Sequence, residues 1–148
     1  MSDTKNPQPP RPQPNSDLAA LDRLVGTWQL SGETEGTVTY EWMAGSFFLL
    51  RRASFTLHGH AVVSMEVIGH LQSFGEKPSP DIQSRAYDSL GNTLDYVYEI
   101  DRDTLVIWGG QKGSPAHYKG QFSEDGQTNT GAWVYPGGGH QSVMTRIK

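Results

Sequence analysis

Cysteine is missing from all 148 residues, which removes disulfides, thiolate metal sites and cysteine nucleophiles. That absence also suits a reducing compartment. Basic charge is scarce: 12 Lys and Arg stand against 16 Asp and Glu, for a net charge of −4. The one adjacent basic pair, Arg51-Arg52, is too little to hold a phosphate backbone. No apolar run approaches the roughly 18 residues a membrane span needs, and the first residues have no apolar stretch of the secretory type. The expectation is a soluble, cytoplasmic protein with no nucleic-acid or membrane partner; a homodimer is left open.

Glycine and aromatic residues are plentiful. Seventeen glycines and fifteen Phe, Trp and Tyr in one domain's length of chain favour many short strands and tight turns. Residues 1–16 are set apart by Pro7, Pro9, Pro10, Pro12 and Pro14, each without an amide donor. With no apolar residue after Met1 to offset ordering, they read as a disordered leader to a single domain over 17–148. Ser16 or Asp17 is placed to cap a short helix. Leu18, Leu21, Leu24 and Val25 give it one apolar face, and Gly26 ends it.

The period then changes to two. Strand-like runs begin near Thr27, Thr37, Phe47, His60, Ile82, Thr93, Thr104, Ala116, Thr128 and His140. Turn signals separate them, among them Glu35-Gly36, His58-Gly59, Glu124-Asp125-Gly126 and Pro136 to Gly139. Short strands joined by tight turns pair as antiparallel neighbours. The predicted fold is all-β: an antiparallel up-and-down barrel of about ten strands, closed so that no edge is exposed. Alternation points Val38, Tyr40 and Trp42 inward, with Leu94, Tyr96, Tyr98 and Ile100, and Tyr118 and Phe122. It also assigns Ala61, Val63, Met65 and Val67 to the interior, and Glu41 and Glu66 to the polar outside. The run from Phe47 to Phe55 is apolar on both faces, and its register is not assigned. A barrel this wide is not filled by side chains alone.

A set of short motifs carries a resemblance. They are Gly26-Thr27-Trp28, Tyr40-Glu41-Trp42-Met43, Glu66-Val67-Ile68-Gly69, Tyr87-Asp88-Ser89-Leu90-Gly91, Phe122-Ser123-Glu124-Asp125-Gly126, Gly131-Ala132-Trp133 and Met144-Thr145-Arg146. From Leu18 to Lys148 the chain resembles an uncharacterised family of small bacterial domains with no assigned activity. The resemblance implies a calycin-like barrel, distantly similar to lipocalins, fatty-acid-binding proteins and nitrobindin-type haem proteins. It also implies a base motif in which Trp28 on the first strand packs under Arg146 from the last, a cation–π contact. With those two residues as the floor, and the helix closing the same end, His58, His60, His117 and His140 gather at the mouth. Counting back in twos from Arg146 turns His140 into the lumen.

The function expected is that of a binding module for a small apolar or aromatic ligand inside the barrel. Tyr40, Trp42, Met65, Tyr96, Tyr98, Tyr118 and Met144 make its walls, apolar surfaces with a few polar handles, and His140 sits at the rim. No catalytic constellation is identifiable, and the reading leans away from an enzyme. The alternatives are an isomerase- or cyclase-type enzyme on the same cavity and a haem or nitric-oxide binder using His140 as iron ligand. No cofactor or metal is otherwise expected. His58-Gly59-His60 reads as a hairpin tip rather than a metal site, and Gly109 to Ser114 as a glycine-rich loop rather than a P-loop. A carboxylate or histidine buried in the lumen would favour the enzyme.

Overall fold

The computed structural model describes residues 10–148. The part of the proline-rich leader in residues 1–9 lies outside the described residues. Pro10 to Asn15 form neither helix nor strand. A 3₁₀ helix, Ser16–Leu24, is followed by β1 (Gly26–Gly32), β2 (Thr34–Trp42), β3 (Phe48–Leu57), β4 (His60–Gly69) and β5 (Ile82–Asp88). Then come β6 (Thr93–Asp101), β7 (Thr104–Gly109), β8 (His117–Phe122), β9 (Thr128–Tyr135) and β10 (Gly138–Arg146). Each strand pairs antiparallel with its sequence neighbours, and β1 pairs with β10 to close the barrel. Among the described residues no helix is long and apolar enough to cross a membrane.

The helix is 3₁₀, not α. Its apolar residues Leu18, Leu21 and Leu24 recur every three positions, which in a three-residue turn puts them in single file. All three are buried and join Trp28, Val38, Leu49, Ile68 and Phe122 in one apolar cluster. Neither Ser16 nor Asp17 caps the helix. The N-cap is Asn15, without a side-chain bond, because Asp17 is engaged elsewhere: its Oδ1 lies 2.9 Å from Nε2 of buried His70. The other ring nitrogen of His70 is 2.6 Å from the Ser79 carbonyl. That histidine ties the helix and the 70–81 connection to the bottom of the barrel. Arg23 adds a second tie, with Nη1 3.0 Å from Asp103 and its guanidinium 4.3 Å over the Phe122 ring.

The floor is built as the base motif implies. The Arg146 guanidinium lies 4.2 Å from the centre of the Trp28 ring. Arg146 Nη2 donates to the Arg23 carbonyl at 2.8 Å, Nη1 donates to that of Val25, and Trp28 Nε1 donates to Leu24 O at 2.8 Å. The end of the helix thus finds donors for carbonyls its own backbone leaves free. Gly26 sits beneath this contact at φ +130°, where a Cβ would come 2.5 Å from Arg146 Nη1 and 2.7 Å from Lys148 O. No side chain fits there.

Sidedness differs from expectation on one strand. In β4 the residues facing in are Val62, Ser64, Glu66 and Ile68, while Val63 and Met65 face solvent, 59% and 45% exposed. The phase is set by the His58-Gly59 turn, whose two residues both take positive φ, as a tight hairpin requires. It pairs Leu57 with His60 and so Phe55 with Val62. With Leu49 and Ala53 buried, β3 turns its odd residues inward, Arg51 among them. The expected turn at Glu35-Gly36 also moves: the chain reverses at Glu33, and Gly36 lies within β2.

Candidate functional site

Above the floor the barrel is hollow. A cavity of about 610 Å³ is lined by residues of all ten strands, enough for a small organic molecule. Of the expected wall residues, Tyr40, Tyr96, Tyr98, Tyr118 and Met144 line it, with His140 near its entrance. Two do not. Met65 is on the outer wall, for the phase reason just given. Trp42 shares the inward face of Tyr40 but is the last residue of β2, at floor level; it packs on the core and donates through Nε1 to Asp22 Oδ1 at 2.7 Å.

The walls combine Leu30, Phe55, Val62, Ile107 and Trp133 with a polar cluster on one side. Trp133 tilts against both Tyr96 and Tyr118, ring centres 5.8 and 5.6 Å away. Tyr118 donates to Oδ1 of fully buried Asn129 at 2.6 Å.

The polar cluster follows one lateral row of the barrel. Tyr40 pairs with Arg51, Arg51 with Glu66, and Glu66 with Ala86, on successive strands. Glu66 is 3% exposed. Its Oε2 accepts from Ser84 Oγ at 2.5 Å and from Tyr98 OH at 2.8 Å. Its Oε1 lies 3.8 Å from Arg51 Nε, within ion-pair range but too far for a hydrogen bond. Arg51 Nη1 donates to Ser64 Oγ at 3.1 Å. Burial works against the Arg51 charge, but Tyr40, Glu66 and Tyr98 more than offset it, and its pKa lies above the usual guanidinium value. Burial, with the field of Glu66, raises Tyr98 well above 10 and pushes Tyr96 up to about 12. Burial likewise raises Tyr40 and Tyr118. The tyrosines are therefore held as phenols, donors in a largely apolar space.

Arg51, Glu66 and Ser84 were not among the expected site residues. The apolar Val63, Met65 and Val67 point the alternation of β4 the other way and predict Glu66 on the outer face. Counting across the two-residue His58-Gly59 turn from an inward Phe55 would have placed both Arg51 and Glu66 inside. Glu41 does face out, its Oε1 3.1 Å from Arg52 Nη1. The adjacent arginines therefore split, one inside the barrel and one outside.

At the mouth, His140 and His58 meet edge to face with centres 6.1 Å apart, and Tyr135 OH lies 3.4 Å from His140 Nδ1. Burial lowers the His140 pKa, Glu33 raises it and His58 lowers it, with a net downward shift. His117 instead packs at a tilt against Trp108, 5.1 Å between centres. No group of three or more His, Asp or Glu side chains is placed to hold a metal among the described residues. No protein-family model matches this chain, and no curated protein matches it.

Proposed function

We propose that this protein is a cytoplasmic binding module of the calycin-like kind, which holds a small ligand with an apolar or aromatic body inside the barrel. The observation that supports it most is the cavity itself: about 610 Å³ with aromatic walls and a few hydrogen-bonding groups on one side. A barrel serving only as a folding scaffold or a protein-docking module would gain stability by filling that volume, since lost packing contacts are costly. Native mass spectrometry of the protein as purified is the test. A co-purifying small molecule, released on denaturation, is expected; a bare mass, with no uptake of apolar compounds added afterwards, contradicts the proposal.

A second reading is favoured by Glu66. A carboxylate inside an apolar lumen, with Tyr98 against it at 2.8 Å, is the equipment of an isomerase- or cyclase-type enzyme that moves one proton. Under that reading the co-purifying compound is converted on incubation, and Glu66→Gln stops the conversion while leaving binding. The haem reading rests on His140 and is tested in the same preparation, where a Soret band on adding hemin would support it.

A further inference from the structure

Asp88 and Asp95 add two carboxylates to the cavity lining, but the charged pair on its polar wall is Arg51 and Glu66, and it leaves a specific gap. Both hydrogen bonds to Glu66 go to Oε2, so Oε1, turned toward Arg51, has no hydrogen-bond donor among the described residues. Arg51 uses Nη1 on Ser64 and has Tyr40 as a further side-chain partner, while its Nε stops 3.8 Å short of Oε1. A guanidinium carries five N–H donors and a carboxylate about four acceptor sites. Unused donors and an unused acceptor therefore stand side by side on the cavity wall, while the charges cancel. A carboxylate placed there would face Glu66 as a like charge, and an ammonium would face Arg51; each is disfavoured in a space with little water. A neutral group offering both an acceptor and a donor satisfies both sides.

We infer that the lumen recognises an uncharged ligand through an amide-like group, its carbonyl accepting from Arg51 and its N–H donating to Glu66 Oε1, with an aromatic or apolar body against Trp133, Tyr96 and Tyr118. This rests on the binding reading above and names the ligand class for it. The cluster is a complete receptor for that group. Ser84 and Tyr98 fix Glu66 from one side, Ser64 fixes Arg51 from the other, and Tyr40 borders the row. An acceptor-only ligand meets half of it and leaves Oε1 without a donor, which costs affinity and so favours the amide.

Three probes of nearly the same shape test it: 2-naphthamide, 2-acetonaphthalene and 2-naphthoate, titrated at pH 7.5 by calorimetry and by quenching of tryptophan fluorescence. Nile red reports separately on whether the lumen takes up apolar compounds. The expected order is amide, then ketone, then carboxylate, with the amide about tenfold or more tighter than the carboxylate. Glu66→Gln removes the negative charge and is expected to strengthen naphthoate binding by about tenfold or more and to weaken the amide, so that the amide loses its lead over the carboxylate. Equal affinities, or preference for naphthoate in the unaltered protein, overturn the inference. Nile red uptake without binding of any naphthalene compound overturns it and leaves the lumen as a binding site. Failure of Nile red as well overturns both. If Glu66→Gln does not fold, the order in the unaltered protein decides.

Discussion

Arg51 and Glu66 are direct partners across the β3–β4 ladder, and both point into the barrel, with Nε 3.8 Å from Oε1. An ion pair inside a largely apolar lumen is a poor source of stability, because desolvating two charges offsets their attraction. Its members depend on one another all the same. Arg51→Met leaves Glu66 buried beside a thioether and is expected to cost about 3 kcal/mol. The double variant Arg51→Met/Glu66→Gln is expected to recover a large part of that. Urea unfolding of the four proteins measures the coupling, and additive losses would show that the pair is not coupled.

The lumenal tyrosines make the protein sensitive to alkali. Tyr96, pushed up to about 12, and Tyr40, Tyr98 and Tyr118, all raised by burial, keep their protons in the folded state when the unfolded chain has begun to lose them. Their contribution is therefore complete below about pH 10 and is lost as pH climbs through the folded values. Absorbance at the phenolate band is expected to lag behind that of the denatured chain between pH 10 and about 12, then rise together with loss of circular dichroism. A smooth rise matching the denatured chain would place these side chains in solvent.

His140 is shifted the other way. Its pKa lies below 6.5, so the folded state takes up its proton later than the unfolded chain. The stability it contributes is full above about 6.5 and declines as pH falls through the lower folded value. The ring is only partly buried at the rim, so the effect on folding is small. The direct observable is the His140 ring proton in an NMR titration, expected to have a midpoint under 6.5. A midpoint above it would mean that Glu33 outweighs burial and His58.

The floor contact anchors the fold. Arg146→Met removes the stacking on Trp28 and the donors to the Val25 and Arg23 carbonyls. The expected loss is about 2–3 kcal/mol, from a charged hydrogen bond and a cation–π contact. Gly26→Ala is expected to be at least as harmful, because its Cβ has no space under the same guanidinium. Thermal unfolding checks both, and a melting temperature within a degree of the parent for either would refute the role given to the floor.

Much of the barrel was legible because its signals are local. Strand starts at His60, Ile82, Thr93, Thr104 and Thr128 coincide with expectation, since each follows a turn residue that interrupts period-two alternation. Tyr40, Tyr96, Tyr98 and Tyr118 are legible because alternation on their strands separates polar from apolar cleanly, whereas Met144 and His140 follow from counting in twos from Arg146 of the base motif. β3 and β4 resisted for the opposite reason. From Phe47 to Phe55 each face carries apolar residues and one arginine, which leaves the register of β3 open, and the solvent side of β4 carries Val63 and Met65, so hydrophobicity points to the wrong set there. The phase there is decided by cross-strand pairing through the two-residue turn at His58-Gly59, which outweighs the composition of either strand. The β4 phase concealed Glu66, the unassigned register of β3 concealed Arg51, and Ser84 on β5 carries no hydrophobic signal of its own. Trp42 was misplaced by height rather than side, since alternation gives the face of a residue and not its level in the barrel.

The central claim is that the space between these walls is a binding chamber. Ala86 lines it and is the cross-strand partner of Glu66, so Ala86→Trp places an indole in the void. Nile red titrations of the two proteins measure the claim most directly. The account expects saturable, one-to-one uptake by the parent and a loss of about tenfold or more in Ala86→Trp, with the circular dichroism of the barrel retained. Equal affinity in a folded Ala86→Trp protein would put the dye on the outside and contradict the account.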